Sequence, residues 1–521
     1  MADTRPLYIT TAINYPNGRP HIGHAYEAVA TDAIARFYRL SGREVRFQTG
    51  VDEHGLKMAQ TAREQGRNTA ELADEMTSYF IEMTDVLDIS HDRYFRTTEP
   101  AHHEASREIW RAMEAKGDLY LDSYKGWYSI RDEAYYDESE LVEGEGDEKL
   151  SPQGTPVEWT EEETWFFRLS AYGDKLLALF RDNPDFLQPE SRRNEMIRFV
   201  EGGLRDLSVS RTSFDWGVKV PGHDDHVMYV WVDALTNYIT GLGYPDEDAE
   251  LYRRYWGEGA EAVHIIGKDI VRFHTIYWPA FLMSAGLPLP TRVFGHGFVL
   301  NKGEKMSKSL GNVTDPSDLV EAFGVDPVRY FLLREIAFGS DGSYSPEAIV
   351  NRCNADLAND LGNLAQRTLS MIAKNCDGKL PEPGVATKAD AALADTLAAI
   401  PSKAAEAMEE FAIHSALEAI WHGAGQANLY ISEEQPWSLR KTDPARADAV
   451  LYRCAEAVRQ LAILARWAIP ESADKLLDQL AQDAGARDFD ALATPLEPGI
   501  ALPKPQGVFP RLELPEGEGD S

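Results

Sequence analysis

Cysteine, positive charge and long apolar runs are scarce in this 521-residue chain. None of its three cysteines, Cys353, Cys376 and Cys454, lies at metal-ligand spacing from another, which argues against a cysteine metal site. No apolar run approaches the roughly 18 residues of a membrane span, and the first residues lack the apolar core of a signal peptide. We therefore expect reduced thiols, no membrane contact and a cytoplasmic location.

Acidic residues outnumber basic ones: the chain has 85 acidic and 52 basic residues, and its net charge is −33. Such a surface repels a polyanion on average, so the balance argues against unspecific binding of nucleic acid. It leaves room for a local basic face, for which the candidates are Arg192, Arg193, Arg198, Arg440 and Lys441. The hydrophobic fraction of 43% and the aromatic fraction of 10% are globular values, and the length predicts about three or four compact units.

The first fifty residues alternate between strand and helix patterns. Leu7 to Ile13 is an apolar, β-branched run that predicts a buried parallel strand. Apolar residues then recur at helical spacing from Tyr26 to Leu40, and Val45 to Thr49 predicts a second strand. A right-handed βαβ unit places the ends of both strands on one edge of the sheet, where ligands bind. Four side chains are expected at that edge: Tyr15, His21, His24 and Asp52.

The pattern changes twice further along the chain. Aromatic patches and an acidic stretch break the alternation between residues 119 and 208, which indicates an inserted domain. Strand-like runs at Val227 to Val232 and at Ala262 to Ile266 then resume the sheet. From about Ser345 the helical periodicity predicts a helix bundle. Pro495 to Pro515 predicts a strap packed against that bundle, followed by a frayed acidic end.

Two distant motifs carry the chemistry. Tyr15 to His24 places two imidazoles around a glycine where a strand gives way to a helix, so ring N–H groups and helix amides can face phosphate oxygens. Lys305 to Ser309 places two ammonium groups three residues apart on a loop, where they can neutralise departing pyrophosphate. If the histidine motif is considered without the lysine motif, the alternative is a surface turn that binds no ligand. Together, the two motifs predict a site that activates an acid with ATP.

Five separated blocks follow one another in a fixed order: Ala12 to His24, Gly50 to Gly55, Tyr229 to Ala234, Gly267 to Trp278, and Lys305 to Ser309. In this order they resemble the class I aminoacyl-tRNA synthetases and, within them, the methionine-specific branch. The resemblance implies an α/β fold with a Rossmann-like parallel sheet and an inserted connective domain, followed by an all-α anticodon-binding helix bundle. It implies activation of L-methionine by ATP with Mg²⁺, and transfer of the methionyl group to the 3′ end of tRNA(Met).

The same resemblance divides the chain into six segments. They are residues 1–118, the first half of the catalytic domain; 119–208, the connective domain for the acceptor end; 209–295, the second catalytic half; 296–346, a stem-contact segment with the lysine loop; 347–505, the anticodon-binding bundle; and 506–521, the tail.

Roles for single residues are also implied by the resemblance. The catalytic residues are His21, His24, Lys305 and Lys308. Contacts to ATP are implied for Asn17, His21, Gly23, His24, Glu27, Gly267, Asp269, Lys305, Met306, Ser307 and Lys308. The methionine site comprises Ala12, Ile13, Tyr15, Asp52, Arg211, Val230, Trp231, Ala234, Leu235, Tyr238, Phe273, His274 and Trp278. The anticodon contacts are Asn363, Arg367 and Trp437.

Several of these residues have a structural alternative. Asp52 suits the ammonium of a free amino acid, but an Asp in that place can equally cap the following helix. Tyr15 and His274 can offer polar hydrogens to a thioether, which excludes branched aliphatic side chains. Trp231 and Trp278 suit a sulfur-binding aromatic box, but they also suit an ordinary core. For the anticodon residues, the alternative to a base-stacking tryptophan is a core tryptophan.

Departures from the family pattern exclude some features. The insert lacks the Cys-x-x-Cys pairs that many members carry, so we expect no structural zinc and expect aromatic clusters to hold the insert together. The segment after Trp437 has a mostly helical pattern and no appended tRNA-binding barrel, so a monomer is expected.

Rival interpretations fit less of the chain. A small nucleotidylyltransferase with the same histidine motif would not need the bundle. A synthetase for branched amino acids would carry a larger editing insert, and a cysteine-specific one would need zinc thiolates. A catalytically inactive RNA-binding relative would not need both the histidine motif and the lysine motif.

Overall fold

The computed structural model describes residues 4–131, 134–144, 148–304 and 313–515. The strands are β1 (Leu7–Thr11), β2 (Val45–Val51), β3 (Arg93–Arg96), β4 (Leu119–Ser129), β5 (Ala134–Tyr136), β6 (Val142–Glu143), β7 (Lys149–Leu150), β8 (Glu158–Phe167), β9 (Leu187–Gln188), β10 (Leu207–Ser208), β11 (Ser210–Arg211), β12 (Lys219–Val220), β13 (His223–Met228), β14 (Glu261–Gly267), β15 (Arg292–His296), β16 (Val299–Asn301) and β17 (Gly342–Tyr344).

The α-helices are α1 (Ile22–Leu40), α2 (Leu56–Glu64), α3 (Thr69–Val86), α4 (Pro100–Ala115), α5 (Gly173–Asp182), α6 (Glu190–Glu201), α7 (Val230–Thr240), α8 (Glu250–Tyr255), α9 (Trp278–Ala285), α10 (Pro316–Phe323), α11 (Val325–Glu335), α12 (Pro346–Cys353), α13 (Asn363–Asn375), α14 (Lys388–Ala398), α15 (Ile400–Glu409), α16 (Ile413–Glu434), α17 (Pro436–Thr442), α18 (Pro444–Ala465) and α19 (Pro470–Gln479). No helix in the part of the chain that the structure describes is long and apolar enough to cross a membrane.

The chain folds into two compact units. The first unit comprises Met1–Pro20, Val45–Thr84 and His91–His296, and the second comprises His21–Glu44, Asp85–Ser90 and Gly297–Ser521. Helix α1, which begins with the histidine motif, therefore groups with the helical second unit.

A six-stranded parallel sheet in the order β3-β2-β1-β14-β15-β9 is the centre of the first unit. Ile9 on β1 lies opposite Phe47 on β2 and Val263 on β14. Every residue of β1 and β14 is buried, as expected for central strands of an α/β sheet. The chain order of the strands reverses between β1 and β14. Ligands bind outside the carboxyl ends of the strands at such a switch point.

Both predicted amino-terminal strands are confirmed, whereas the prediction for Val227 to Val232 is wrong in its second half. Strand β13 ends at Met228, and helix α7 begins at Val230. Strand β13 also pairs antiparallel with β11 and β12, outside the parallel sheet. Periodicity cannot separate a short buried strand from the start of a buried helix, because both are apolar throughout.

The insert contains a four-stranded antiparallel sheet in the order β10-β8-β4-β5. Trp127 and Trp159 face each other across β4 and β8, with ring centroids 5.4 Å apart in an edge-to-face arrangement. The ammonium of Lys149 lies 4.6 Å from the centroid of the Trp127 ring. Aromatic side chains therefore contribute to the insert, as predicted.

A cluster of hydroxyl groups also holds the insert, which the sequence did not predict. Thr155 Oγ1 lies 2.7 Å from Ser129 Oγ and 2.8 Å from Ser151 Oγ. Nearby, the Tyr136 hydroxyl donates to Gln153 Oε1 at 2.8 Å. Among the side chains that the structure describes, no group of three or more His, Cys, Asp or Glu is arranged to hold a metal ion.

Helices dominate the second unit. Ser345 caps α12, and its hydroxyl accepts the N–H of Ala348 at 3.2 Å, so a helix begins where the periodicity predicts one. The predicted strap is confirmed as well: Leu380 N–H donates to Ile500 O at 2.9 Å. The Asn354 side chain pairs with both backbone polar groups of Leu512 at 2.8 and 2.9 Å. The acidic end, residues 516–521, lies outside the described residues.

Helix α1 is held within the second unit by a buried ion pair. Arg329 Nη2 lies 2.6 Å from Asp32 Oδ2, and both side chains are fully buried. Burial alone would raise the pKa of the Asp32 carboxyl, but Arg329 and Arg36 outweigh it and hold the pKa below its ordinary value. Arg329 also donates to the carbonyls of Leu87 and Ala468, at 2.9 and 3.2 Å. The guanidinium therefore joins α1 to three other parts of the unit.

Candidate active site and anticodon-facing surface

The chain segments that leave β1 and β2 run side by side at the carboxyl edge of the sheet. Asn14 N–H donates to Gly50 O at 2.9 Å, and Asp52 N–H donates to Asn14 O at 2.8 Å. These backbone bonds extend the parallel pairing beyond the ends of the two strands. The structure therefore brings the segments that carry Tyr15 and Asp52 together, as the βαβ pattern predicts.

The Asp52 carboxylate is fixed by the loop that follows it. Asp52 is 8% exposed, and its Oδ1 accepts the N–H of His54 at 3.2 Å. Helix α2 begins only at Leu56 with Gly55 as its N-cap, so the alternative in which Asp52 caps that helix is wrong. The Tyr15 hydroxyl accepts the N–H of Met58 on α2 at 3.0 Å.

Most of the aromatic side chains predicted to bind methionine lie on α7, on the π-helical turn Phe273–Tyr277 and at the start of α9. The rings of Trp231 and Phe273 stack with centroids 3.9 Å apart and an interplanar angle of 6°. Trp231 is partly buried, whereas most other predicted members are buried: Ala12, Val230, Ala234, Leu235, Tyr238, Phe273, His274 and Trp278.

Trp278 satisfies the core interpretation as well as the pocket interpretation. It is fully buried, and its ring centroid lies 6.3 Å from those of Tyr238 and Trp256. Trp278 and Tyr238, both predicted for the methionine site, therefore belong to the hydrophobic core of the first unit.

His274 does not have the predicted hydrogen to offer to a thioether. Its Nδ1 lies 3.0 Å from the carbonyl oxygen of Ile270, and its Nε2 lies 2.7 Å from the Tyr238 hydroxyl. Because a carbonyl only accepts, the proton is on Nδ1, and Nε2 accepts from Tyr238. Burial lowers the pKa of His274 to about 4, so the ring is neutral at pH 7. The prediction is wrong for His274 because both ring nitrogens are already engaged.

Arg211 lies on β11 and is 2% exposed. Its Nη1 donates to Ser210 O at 2.6 Å, and its guanidinium carbon lies 4.6 Å from the centroid of the Tyr229 ring. A guanidinium held against an aromatic face is a fixed positive charge, suited to a carboxylate or a phosphate.

The histidine motif forms a reciprocal cap at the start of α1. His21 is the N-cap; its Nδ1 accepts the N–H of Gly23 at 3.0 Å, and His24 Nδ1 accepts the N–H of His21 at 3.1 Å. Since both Nδ1 atoms accept, each neutral ring carries its proton on Nε2. The two rings stack with centroids 3.9 Å apart. The backbone therefore selects the tautomer in which both rings donate through Nε2.

Gly23 makes this cap possible. A Cβ at this position would lie 2.8 Å from His21 Cε1 and 2.9 Å from His21 Nδ1, closer than side-chain carbons normally approach. A larger residue would therefore displace the His21 ring from the backbone N–H that orients it.

The other residues predicted to contact ATP are spread over both units. Asn17 is exposed, and its N–H donates to Tyr15 O at 2.8 Å. Gly267 ends β14, and Asp269 Oδ1 lies 2.7 Å from the place where a Gly267 Cβ would sit. Glu27 is buried in α1.

The lysine loop itself, with Lys305, Met306, Ser307 and Lys308, lies outside the described residues. Its carboxyl-terminal flank is described, and Thr314 O accepts the N–H of Ile22 at 3.1 Å. Within the second unit, the chain that follows the loop thus meets the first turn of α1.

The predicted anticodon residues come together on one surface of the second unit. Asn363 and Arg367 are one turn apart on α13, and the guanidinium carbon of Arg367 lies 5.3 Å from the centroid of the Trp437 ring. Trp437 is 43% exposed, so the core alternative is wrong for this residue. Arg440, a candidate for the basic face, is engaged with Asp448 and the carbonyl of Asn375.

Sequence reasoning missed the charged side chains that hold the Asp52 loop. Glu53 and His54 follow Asp52 and are 0% and 3% exposed, and Asp233 on α7 is 1% exposed. His54 and Asp233 lie inside two of the five blocks. The available signal was a titratable residue within an otherwise apolar stretch, because such a residue needs a buried partner.

Comparisons with known proteins agree with this geometry. A family model described as tRNA synthetases class I (M) matches residues 7–149 and 147–369, and one described as the anticodon binding domain of methionyl tRNA ligase matches residues 380–518. The chain is 61% identical to a methionine–tRNA ligase of Brucella suis biovar 1 (strain 1330), covering 97% of each chain. It is 60% identical to that of Mycobacterium tuberculosis (strain ATCC 25618 / H37Rv), covering 98% of this chain and 99% of the relative.

A solved structure of Mycobacterium tuberculosis methionyl-tRNA synthetase in complex with methionyl-adenylate is similar throughout. It superposes with a TM-score of 0.95 at 60% identity, covering 97% of this chain and 100% of that one. The predicted fold class, a Rossmann-like sheet with an insert followed by a helical anticodon-binding region, is confirmed.

Proposed function

The chain belongs to the methionyl-tRNA synthetase family of class I enzymes, and on that premise we propose how its residues divide the reaction. It is a methionine–tRNA ligase: it activates L-methionine with ATP to methionyl-adenylate and pyrophosphate, and it transfers the methionyl group to tRNA(Met). The roles below rest on the geometry of the described residues and on that membership.

In the first step, a carboxylate oxygen of methionine bonds to the α-phosphorus of ATP as the bond from the α-phosphorus to pyrophosphate breaks. A carboxylate is already a nucleophile and pyrophosphate leaves as an anion, so the site must supply position and compensating charge rather than a base. His21 and His24 donate Nε2–H to phosphate oxygens beside the amino terminus of α1. Lys305 and Lys308 neutralise the leaving pyrophosphate, and Mg²⁺ enters with the nucleotide as part of the substrate.

The crevice at the switch point holds the amino acid. Asp52 is a buried carboxylate at the end of β2 and pairs with the methionine ammonium. The stacked rings of Trp231 and Phe273, together with Tyr238 and Trp278, bind an unbranched, polarizable thioether. Tyr15 remains the residue proposed to offer a polar hydrogen to the sulfur.

In the second step, a terminal ribose hydroxyl of the tRNA attacks the methionyl carbonyl, and AMP leaves. Recognition of the anticodon falls to Asn363, Arg367 and Trp437. An exposed indole offers a face for an unstacked base, and the amide and the guanidinium can bond to its edge. We also propose a cytoplasmic monomer and the six-segment division of the chain given above.

The observation that carries this assignment of roles is the reciprocal cap of His21 and His24, which places the proton of each neutral ring on Nε2 at a helix amino terminus. The activity itself is tested by measuring which amino acid drives exchange of pyrophosphate into ATP. We expect exchange with methionine alone among the twenty standard amino acids, and charging of tRNA(Met) at a comparable enzyme concentration. Absence of methionine-dependent exchange by folded protein would contradict the assignment.

A further inference from the structure

A carboxylate inside the first unit is clamped between two imidazoles. Asp233 Oδ2 lies 2.6 Å from His54 Nδ1, and Asp233 Oδ1 lies 2.7 Å from His102 Nε2. All three side chains are at most 3% exposed. Burial alone would raise the pKa of the Asp233 carboxyl, but the two facing rings outweigh it and hold the pKa well below its ordinary value. The cluster therefore contains a carboxylate that is charged and paired on both oxygens.

One arm of this clamp reaches the loop that orients Asp52. His54 contributes its ring to Asp233 and its backbone N–H to Asp52 Oδ1, at 3.2 Å. A rigid five-membered ring on a two-bond tether leaves little freedom between the two contacts. The His54 ring and the Asp52 carboxylate are therefore linked through a single residue.

The intervening residue anchors the same loop from its other side. Glu53 Oε1 accepts from Arg96 Nη2 at 2.6 Å and from the Thr77 hydroxyl at 2.7 Å, while its backbone N–H donates to Thr97 Oγ1 at 2.9 Å. Of the contacts described for Glu53 and His54, the one between His54 and Asp233 reaches helix α7.

Helix α7 carries Asp233 between two predicted pocket residues, Trp231 and Ala234. The second arm of the clamp fixes the helix itself: His102 on α4 bonds to Asp233 and, through Nδ1, lies 3.1 Å from Thr240 Oγ1 near the end of α7. The Asp233 carboxylate on α7 thus contacts His54 in the loop that follows Asp52, and it contacts His102, which also lies beside Thr240 on α7.

We propose that Asp233 is a positioning residue for methionine: through His54 it sets the distance between the Asp52 carboxylate and the aromatic wall on α7. The inference rests on the proposed role of Asp52. The side chain of methionine limits how far its thioether can lie from its ammonium, so a site that binds both ends in one conformation needs its two walls at a fixed spacing. Removing the clamp should weaken methionine binding and leave ATP binding unchanged.

The test compares Asp233→Asn, His54→Gln and the double variant in methionine-dependent pyrophosphate exchange. Each single variant should raise KM for methionine by about tenfold, with KM for ATP within about twofold, because a buried charge-assisted hydrogen bond is lost. The double variant should be no worse than Asp233→Asn alone, since that change already breaks the contact between His54 and Asp233. Asp326→Asn is the matched control. This carboxylate is 2% exposed, accepts the N–H of Ser472 at 2.5 Å in the second unit, and should leave KM for methionine unchanged.

Two results would overturn the inference. One is an unchanged KM for methionine in folded Asp233→Asn; the other is an equal rise of both KM values, as a general loosening of the fold would produce. If Asp233→Asn does not fold, His54→Gln decides by the same criteria. Asp52→Asn distinguishes failure of the positioning role from failure of the proposed role of Asp52. If Asp52→Asn raises KM for methionine and Asp233→Asn does not, the positioning role of Asp233 fails. If Asp52→Asn also leaves KM for methionine unchanged, the proposed role of Asp52 fails.

Discussion

The proposed methionine site of the first unit and the proposed anticodon site of the second use the same kind of side chain at opposite burial. Trp278 is fully buried, and its neighbours Tyr238 and Trp256 belong to the same core. Trp437 is 43% exposed, with the guanidinium of Arg367 beside it. Both rings are proposed to bind a ligand, but Trp278 is also part of the hydrophobic core.

The difference follows from what each ligand needs. A thioether is recognised by enclosure, so the walls of its site must exclude water and become continuous with the core. A base in an RNA loop arrives on a macromolecule and needs an open face on which to stack. Substitutions should therefore affect both stability and function in the first region, but function alone in the second.

The largest expected effect separates the two tryptophans by stability. Trp278→Ala should lower the free energy of unfolding by about 3–5 kcal/mol, because it leaves a cavity in a packed core. Trp437→Ala should change it by less than about 0.5 kcal/mol, because half of that ring already faces solvent. Urea unfolding of both variants, followed by far-UV circular dichroism, provides the measurement. Similar losses in the two variants would break the comparison.

Two helix glycines extend the comparison to the backbone. Gly23→Ala should slow pyrophosphate exchange by about a hundredfold, because a Cβ there displaces the His21 ring and a donor to the transition state is lost. Gly425→Ala on α16 is the matched change, since a Cβ there meets no atom within 4 Å. It should leave exchange unchanged and stabilise the helix slightly. Loss of exchange in both variants would show that the effect is not specific to the histidine cap.

Trp437 should affect charging without affecting activation. Trp437→Ala should lower kcat/KM for tRNA(Met) by roughly tenfold to a hundredfold, the usual value of one base–aromatic stack. Pyrophosphate exchange without tRNA should be unchanged. Trp437→Phe, which keeps an aromatic face, should recover part of the charging rate. A loss of exchange in parallel with charging would argue against an anticodon role.

The smallest expected effect concerns pH and the buried pocket. Burial lowers the pKa of His274 to about 4, below the value of about 6.5 in an unfolded chain. Between these values the unfolded chain binds a proton that the native ring does not, so stability is lost as the pH falls. From about pH 6.5 to pH 5.5 the loss assigned to His274 is about 1 kcal/mol. His274→Gln should show a correspondingly shallower dependence of its urea midpoint on pH, and an unchanged dependence would contradict a neutral buried ring.

Motifs with a local cause were predictable from the sequence. The helical start at Ser345 and the parallel strands at Leu7 and Val45 follow from periodicity, whereas the grouping of Arg367 with an exposed Trp437 follows from the family resemblance. The turn from strand to helix at Tyr229 was not predictable, because the residues on both sides of it are apolar.

Partners distant in sequence account for the other differences. Nothing around His274 indicates that the Tyr238 hydroxyl and the Ile270 carbonyl occupy its ring nitrogens. Nothing around Asp233 indicates a clamp by His54 and His102, which lie 179 and 131 residues away in the chain. These contacts determine protonation and orientation, and therefore what each side chain can do.

By itself, the sequence determined the family, the fold class and the reaction, because these depend on residue types at fixed spacing, and it predicted the residues that meet the ligands. Only the tertiary structure decided that the Tyr238 hydroxyl occupies Nε2 of His274 and that the Asp233 carboxylate contacts His54 and His102. The physical reason is that a hydrogen bond or an ion pair needs two partners. A sequence pattern around one residue does not show which distant residue the fold brings beside it.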